Sequence, residues 1–437
     1  MFIRLLTGRR ARERSHGHAV RLLRSLPGRF SRSRSGNVAL IFALAAVPLL
    51  GMIGSAVDYT RASVQQARLQ AASDAAIIAG VVAAKTDIDK GNGEAAALRN
   101  AQSAAEAYFR SNYQNSAASF TATFTMSGLT ISGTATATHQ NPTTFMTLFG
   151  ISSTPIGARS QSKAATEPYL NIYLLIDISA SMLLPATADG IAQMTRGTGC
   201  ALACHDKANG NDTYGWALRN NILMRYQVVN QGIDNLVSYI RSKQTLSGKV
   251  RIELWSFDHD MRRLVSLTSD LTRITRNFPA PALASSDESA ATRFDDLIST
   301  FVSAVGTSGS GLSQQDAKKL VMIATDGVND PTRAWTSNVA LRSQVRAFST
   351  TFCDTLKQRG NTVAIINTPY LPMPWDWGYN ATLGQPGTRG GTTRVDDIPI
   401  VLRRCAGSYF TVASDVEAIR SSFVSLFTAA TPIRLSQ

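Results

Sequence analysis

The chain has 437 residues, 44% of them hydrophobic and 17% charged, so it is long enough for two or three domains and apolar enough to bury a core. Its net charge of +14 is lopsided: residues 1–35 hold ten Arg and one Glu, while the other 402 residues carry 34 basic against 29 acidic side chains. A nucleic-acid binder spreads basic residues and aromatics over a folded face, and this pattern excludes that role.

Directly after the basic stretch, VALIFALAAVPLLGMIGSAV runs from Val38 to Val57 without a charge. Twenty helical residues rise about 30 Å, the hydrocarbon thickness of a bilayer. Pro48 is tolerated in such a helix. Arg29, Arg32 and Arg34 precede the span, and Asp58, Tyr59 and Arg61 follow it. The positive-inside rule then predicts a single-pass protein with a cytoplasmic N-terminus, its bulk outside and lipid as one partner. A cleaved signal peptide and a buried core helix are the competing readings. The run is longer than a usual signal core, although Gly54-Ser55-Ala56 loosely imitates a cleavage site.

The helical composition continues, so one helix is expected from about Gly36 to about Ala84. Val64, Ala67, Ala71, Ala75, Ile78 and Val82 recur at three- and four-residue steps and predict its packed face. A coiled stalk is the alternative, but alanine seams pair weakly. Residues 94–110 read as a second helix. The stretch SFTATFTMSGLTISGTATATH alternates on both sides of Ser127-Gly128, a hairpin signal. NPTTFMTLFGI predicts a short helix with Pro142 near its start, and residues 152–166 a further strand. Residues 85–166 thus form a small α+β unit hung from the membrane helix.

From Tyr169 the texture changes. Strand-like runs at 169–176, 249–257, 261–267, 319–325, 361–367 and 407–412 alternate with helices at 217–243, 293–305, 338–358 and 414–428. Short apolar strands separated by helices imply an α/β fold, a doubly wound and mostly parallel sheet covered on both faces, over about 167–430. Ligands in such sheets sit at the carboxyl ends of strands.

Two motifs fall on that edge. IDISASM places Asp177, Ser179 and Ser181 directly after the first strand, and IATDG places Asp326 after a later one. These are hard oxygen donors, suited to Mg²⁺, Mn²⁺ or Ca²⁺. Helix capping is the bland reading, since Ser and Asp are favoured caps, but no helix is expected before about residue 217. Ser179 has no histidine partner and no G-x-S-x-G elbow is present, so an enzyme is not expected. Four cysteines, Cys200, Cys204, Cys353 and Cys405, suggest two disulfides in an exported domain. Zinc at Cys204 and His205 is the rival reading and lacks a second half-site.

DISASM resembles the D-x-S-x-S motif of von Willebrand factor A domains, and ATDG resembles their second acidic loop. The resemblance implies a divalent-metal site: Ser179, Ser181 and a Thr as direct ligands, and Asp177 and Asp326 acting directly or through water. The Thr that matches is Thr292 in SAATRFDDL, without the Gly-Gly that usually precedes it. Such a site leaves an open position for an external carboxylate. The N-terminal stretch from Ser35 to Gly80 resembles the anchor of TadE/TadG-like proteins of Flp (tight-adherence) pilus assembly. NPTTFMTLFGI and the spacing of Cys353 and Cys405 are similar to the TadG branch. The expected pairings are Cys353–Cys405 and Cys200–Cys204.

Two long insertions, 182–216 and 369–395, leave from carboxyl strand ends, and long loops in compact domains are often functional. Trp375, Trp377 and Tyr379 are binding-anchor types. The combined expectation is a bacterial inner-membrane protein with pilus or secretion-system proteins as partners. It would assemble or anchor a Tad-type pilus by metal-dependent binding. The alternative is a membrane-tethered adhesin that binds a host or matrix ligand.

Overall fold

The computed structural model describes residues 37–200, 213–243, 246, 248–279 and 291–431. The basic tail, Cys204 and His205 lie outside the described residues. The chain divides into two compact units. One takes the chain up to Ile77 with Ala105–Ala122 and Thr134–Gln161; the other takes Ile78–Ala104, Thr123–Gly133 and the chain from Ser162 onward.

The first helix, Asn37–Asp89, runs unbroken through Pro48 and past the apolar stretch, as its composition predicts. Its packed face differs from the expected one. Val64, Ile78 and Val82 are exposed, and Ala62, Leu69, Ala72 and Ala76 are buried instead. In the first unit those residues meet Phe109, Tyr113, Ile156 and Ala158. Phe109 stacks on Phe120 with ring centroids 4.2 Å apart. The partner elements supply the bulk, so the helix offers its small side chains and approaches closely. The helix Glu94–Asn112 is followed by a three-stranded sheet in the order β1 (Ser119–Ser127), β2 (Thr130–Pro142), β3 (Ser153–Ala165). Alternate residues of β2 are buried, the period of a half-covered strand.

The second unit holds a six-stranded sheet. Its strands are β4 (Leu170–Asp177), β5 (Val250–Phe257), β6 (Met261–Thr268), β7 (Lys318–Thr325), β10 (Thr362–Asn367) and β11 (Phe410–Val412); β8 (Val328–Asn329) and β9 (Arg346–Ala347) pair separately. The order is β11-β10-β7-β4-β5-β6, parallel throughout except for β6, which runs antiparallel to β5 at one edge. Every residue of β4 is buried. Leu170, Ile172, Leu174 and Ile176 join one core with the helices Arg225–Ser242 and Val416–Ala430. Tyr173 and Leu175 join the opposite core with Phe294–Val305, Thr351–Gln358 and Arg394–Ala406. A period of two buried on both sides is what makes this strand a continuous apolar run.

Two predicted helices differ. The helix expected at 338–358 is a short turn, Val339–Gln344, then strand β9, then the helix Thr351–Gln358. Pairing of β9 with β8 buries Val345, Ala347 and Phe348 and interrupts the helix. The helix expected at 217–243 starts only at Arg225, after Asn221 turns with φ +54°. The insertions carry structure of their own: the helix Ala188–Thr198 in the first, and in the second a turn, Trp377–Ala381, leading into the helix Arg394–Ala406.

Cys353 and Cys405 are bonded, joining the helices Thr351–Gln358 and Arg394–Ala406 across 52 residues of sequence. Cys200 is also disulfide-bonded. For a closed loop of that length, replacing Cys353 and Cys405 by Ser is expected to cost about 4 kcal/mol, measured by urea unfolding without reductant. Nearby, Asp397 accepts N–H bonds from Thr388 (2.7 Å), Arg389 (2.9 Å) and Gly391 (2.8 Å) and so holds the end of the second insertion. Burial raises its pKa, but those three donors and the Arg389 charge outweigh burial and leave it below the usual carboxylate range. A depressed folded pKa stabilises above the unfolded value of about 4 and loses that contribution as pH falls through the folded value. Asp397→Ala should therefore destabilise at neutral pH, by about 3 kcal/mol for stranded buried donors. The difference from the parent should shrink in acid below about pH 4.

Candidate functional site

The parallel register of β4 on β7 sets Ile176 beside Ala324, so both strands release their next residues at the same edge. Asp177 ends β4 and Asp326 follows β7, and both are fully buried. Asp177 is held on every side. Its Oδ1 accepts from the Ser179 amide (2.9 Å) and the Ser179 hydroxyl (2.6 Å), and its Oδ2 from the Thr325 hydroxyl (2.7 Å). Ser179 and Ser181 share a hydroxyl hydrogen bond of 2.9 Å. Asp326 is bound less completely. Its Oδ1 accepts from the Val328 amide at 3.1 Å, while its Oδ2 is buried without a hydrogen bond of good geometry. Gly327 has φ +84°, and a Cβ there would lie 2.5 Å from Ile398, so the turn after Asp326 requires glycine.

The only cation that the described residues bring to this pair is Arg225, the first residue of its helix. Its Nη1 lies 3.8 Å from Asp326 Oδ2, with both side chains buried. Nη2 donates to the Pro369 carbonyl at 2.8 Å, and the guanidinium lies over the Tyr370 ring, 4.8 Å from its centre. Burial pushes the Asp177 carboxyl up to about 7, the neighbouring Asp326 charge adds to this, and the Ser179 and Thr325 bonds oppose it. Burial likewise raises Asp326, against the lowering effect of Arg225. Withdrawal from water is the main cause of both shifts, with the like charge adding to it at Asp177 and hydrogen bonds from Ser181, Val328 and Tyr370 opposing it at Asp326.

The structure thus brings together Asp177, Ser179, Ser181 and Asp326. Thr292 is buried and pairs with Asp330 through two backbone bonds, 2.6 and 3.0 Å. Among the described residues, no hydrogen bond joins its hydroxyl to the other four. Sequence reading passed over Arg225, Thr325 and Tyr370. A signal existed for the first: a basic residue at a helix start opposes the macrodipole and needs an anionic partner. Trp375 and Trp377 are exposed, whereas Tyr379 is buried, so its ring belongs to the core and not to a contact surface. Ile191 and Thr195 of the first insertion and Leu371, Pro372 and Trp375 of the second line one open cavity of about 340 Å³.

The donor chemistry fits a hard divalent cation. Two carboxylates and two hydroxyls converge, and Asp326 Oδ2, with the Ser181 and Tyr370 hydroxyls near its carboxylate, is a buried acceptor without a hydrogen bond of good geometry. A cation held there would share that oxygen with Arg225. Among the described residues, no group of three or more His, Cys, Asp or Glu side chains is placed to hold a metal ion, so such a site would rest on two carboxylates and neutral hydroxyls.

Sheet order, antiparallel edge strand, helices on both faces and a D-x-S-x-S loop at the carboxyl edge define a mixed α/β domain of von Willebrand factor A type. Residues 36–84 match the family model described as Flp pilus-assembly TadE/G-like. With that match, the long apolar helix, exposed over its first half, makes the chain a membrane-anchored protein. No curated protein sequence matches the chain. Among solved structures it is similar to the pilus adhesin SpaC from Lactobacillus rhamnosus GG, at 11% identity and a TM-score of 0.37 over 72% of this chain and 34% of that one. It is also similar to the vWF domain of the type V pili tip protein Mfa5 from Porphyromonas gingivalis (13%, TM-score 0.35, 63% of this chain and 99% of that). BatB from Bacteroides thetaiotaomicron is a third (14%, TM-score 0.30, 59% and 98%). The chain spans about a third of the SpaC chain, and these are likenesses of fold.

Removing one partner of a buried ion pair strands the other charge, at a cost of about 3–5 kcal/mol. Arg225→Met is expected to lower stability by that amount in urea unfolding with EDTA present. Adding Asp326→Asn should recover part of the loss, because the stranded charge is gone. Additive losses would show that the two side chains do not share an interaction.

Proposed function

We propose that the chain assembles or anchors a Tad/Flp-type pilus at the bacterial inner membrane, and that it is not an enzyme. In this reading the N-terminus is cytoplasmic, the bulk is periplasmic, and the A-type domain captures a carboxylate of a pilus or secretion-system protein through Mg²⁺ or Mn²⁺. The family match of the anchor supports the pilus context. The observation that carries the binding mode is the buried acid–hydroxyl cluster at the sheet edge, in which Asp326 Oδ2 lacks a hydrogen bond of good geometry.

When bound, a divalent cation supplies an open coordination position that attracts an external Asp or Glu. Asp177 contributes the nearest charge, and its neighbours Ser179 and Ser181 have lone pairs free to turn outward. Thr325 fixes the Asp177 carboxylate from the neighbouring strand. Asp326 contributes the second carboxylate, with Arg225 limiting how much negative charge the site presents. Thr292 is assigned as a further ligand on resemblance alone. The two exposed tryptophans and the cavity between the insertions offer apolar contact area to the same partner.

Asp177→Asn keeps the size of the side chain and removes its charge. It is expected to abolish Mg²⁺ or Mn²⁺ binding in calorimetry on the full chain. Asp326→Asn should weaken binding by about 10–100-fold, as for groups that support a ligand set. Surface piliation should fall in the same order, and a chelator should reproduce the Asp177 change. Loss of metal with unchanged piliation would make the ion structural and sink this mechanism.

A further inference from the structure

The segment between β2 and β3 seats itself on the last turns of the apolar helix stretch. Asp58 Oδ1 accepts from the Thr144 amide at 3.0 Å, and Oδ2 accepts from the Phe145 and Met146 amides at 2.8 Å each. Those donors belong to the start of the short helical turn Met146–Phe149, so a buried carboxylate caps it. One helical turn back, Ser55 Oγ lies 3.1 Å from Met146 Sδ. A Cβ on Gly54 would lie 2.5 Å from Phe145 Cβ, and one on Gly51 would lie 2.8 Å from Phe149 Cζ. Gly51, Gly54, Ser55 and Asp58 follow the i, i+3, i+4, i+7 spacing of one helix face, and this face is the seat of the loop. The loop is closed by its own bonds, Thr143 amide to Ser152 carbonyl, Ile151 amide to Met146 carbonyl, and the Thr143 hydroxyl to Ile151 carbonyl.

What this seat presents outward is apolar. Leu148 is 84% exposed and Phe149 56%, with Phe145 and Ile151 exposed beside them. They continue the exposed surface of Leu49, Leu50, Met52 and Ile53 on the helix. From Gly51 to Asp58 the helix rises about 10 Å, the outer third of a bilayer's hydrocarbon. Tyr59 and Arg61 follow immediately and remain exposed, with Arg61 also donating to the Thr144 hydroxyl at 3.0 Å. Tyr and Arg at this position mark the headgroup level.

We propose that Phe145–Ile151 is a second membrane anchor, a hook that enters the outer leaflet beside the transmembrane helix and takes lipid acyl chains as its ligand. The inference rests on the reading that the Asn37–Asp89 helix crosses the bilayer. The patch is continuous with the lipid-facing surface of that helix and lies at the same depth, so acyl chains cover both. Asp58 is compatible with this depth because three amide donors satisfy it. A lone helix can rotate and slide in a bilayer; a rigid apolar hook docked on one face fixes its depth and azimuth.

The test uses the full chain in phosphatidylcholine–phosphatidylglycerol vesicles. Leu148→Cys carries a nitroxide, and no described cysteine is free to compete for the label. The relative accessibility to oxygen and to a water-soluble nickel complex reads depth. The label at 148 is expected to shift to the value given by Met52→Cys, in lipid, and away from that of Val64→Cys, in water. A label at 148 that reads water while Leu44→Cys reads lipid would overturn the hook and leave the anchor standing. Water at both sites would overturn the two together. Shielding from both probes would mean a protein partner, a second copy included, and would also overturn the proposal.

Discussion

Two carboxylates that no water reaches sit at the end of adjacent parallel strands, and much of the second unit is arranged around keeping them there. The pairing of β4 on β7 leaves Asp177 and Asp326 at one edge whatever their side chains prefer. Like charges in that position repel and are poorly solvated, so each needs donors or a counter-charge. Asp177 is provided for locally, by hydroxyls from its own loop and from Thr325. Asp326 draws on Arg225, which lies a hundred residues earlier in the chain and begins a helix that covers one face of the sheet.

That dependence explains the shape of the first insertion. Here Pro185 pairs with Met224, so the insertion leaves and returns at one point, and the helix restarts at Arg225. The second insertion leaves at Pro369, whose carbonyl accepts from the same guanidinium. Arg225 therefore ties the roots of both insertions to the acid pair. Displacement of this cation from Asp326 would be felt where the exposed tryptophans emerge.

The sheet was legible because buried parallel strands are unbroken apolar runs, and LNIYLLID or KKLVMIAT leave little else to infer. The positions of Asp177, Ser179, Ser181 and Asp326 followed from strand ends. What could not be read was anything set by distant partners. The packed face of the N-terminal helix was misjudged because alanines recur on more than one face of this stretch, and which face Phe109 and Tyr113 meet is set by those distant residues. The interruption at Val345–Phe348 depends on a two-residue pairing with β8 that leaves no local signature. Tyr379 resembled an exposed anchor between two tryptophans, yet the turn capped by Asp376 rotates it inward. Arg225 was overlooked because a lone basic residue in NNILMRYQVV reads as an ordinary surface charge until its helix start is known.

Four buried aspartates separate saturated from unsaturated carboxylates. Asp58 and Asp397 each accept three backbone amides, donors that cannot turn away, and so each is saturated by its own fold. A further ligand gains nothing there except by breaking those bonds. The pair Asp177 and Asp326 is built differently. Its donors include hydroxyls, which can rotate to present lone pairs, and one oxygen of Asp326 has an arginine at 3.8 Å and no hydrogen bond of good geometry. A group that brings positive charge to this edge therefore has free energy to gain, from an orphaned acceptor and from relief of repulsion. The same residue type thus serves as a clamp where the backbone saturates it and keeps capacity for a further partner where the backbone supplies only part of its donors.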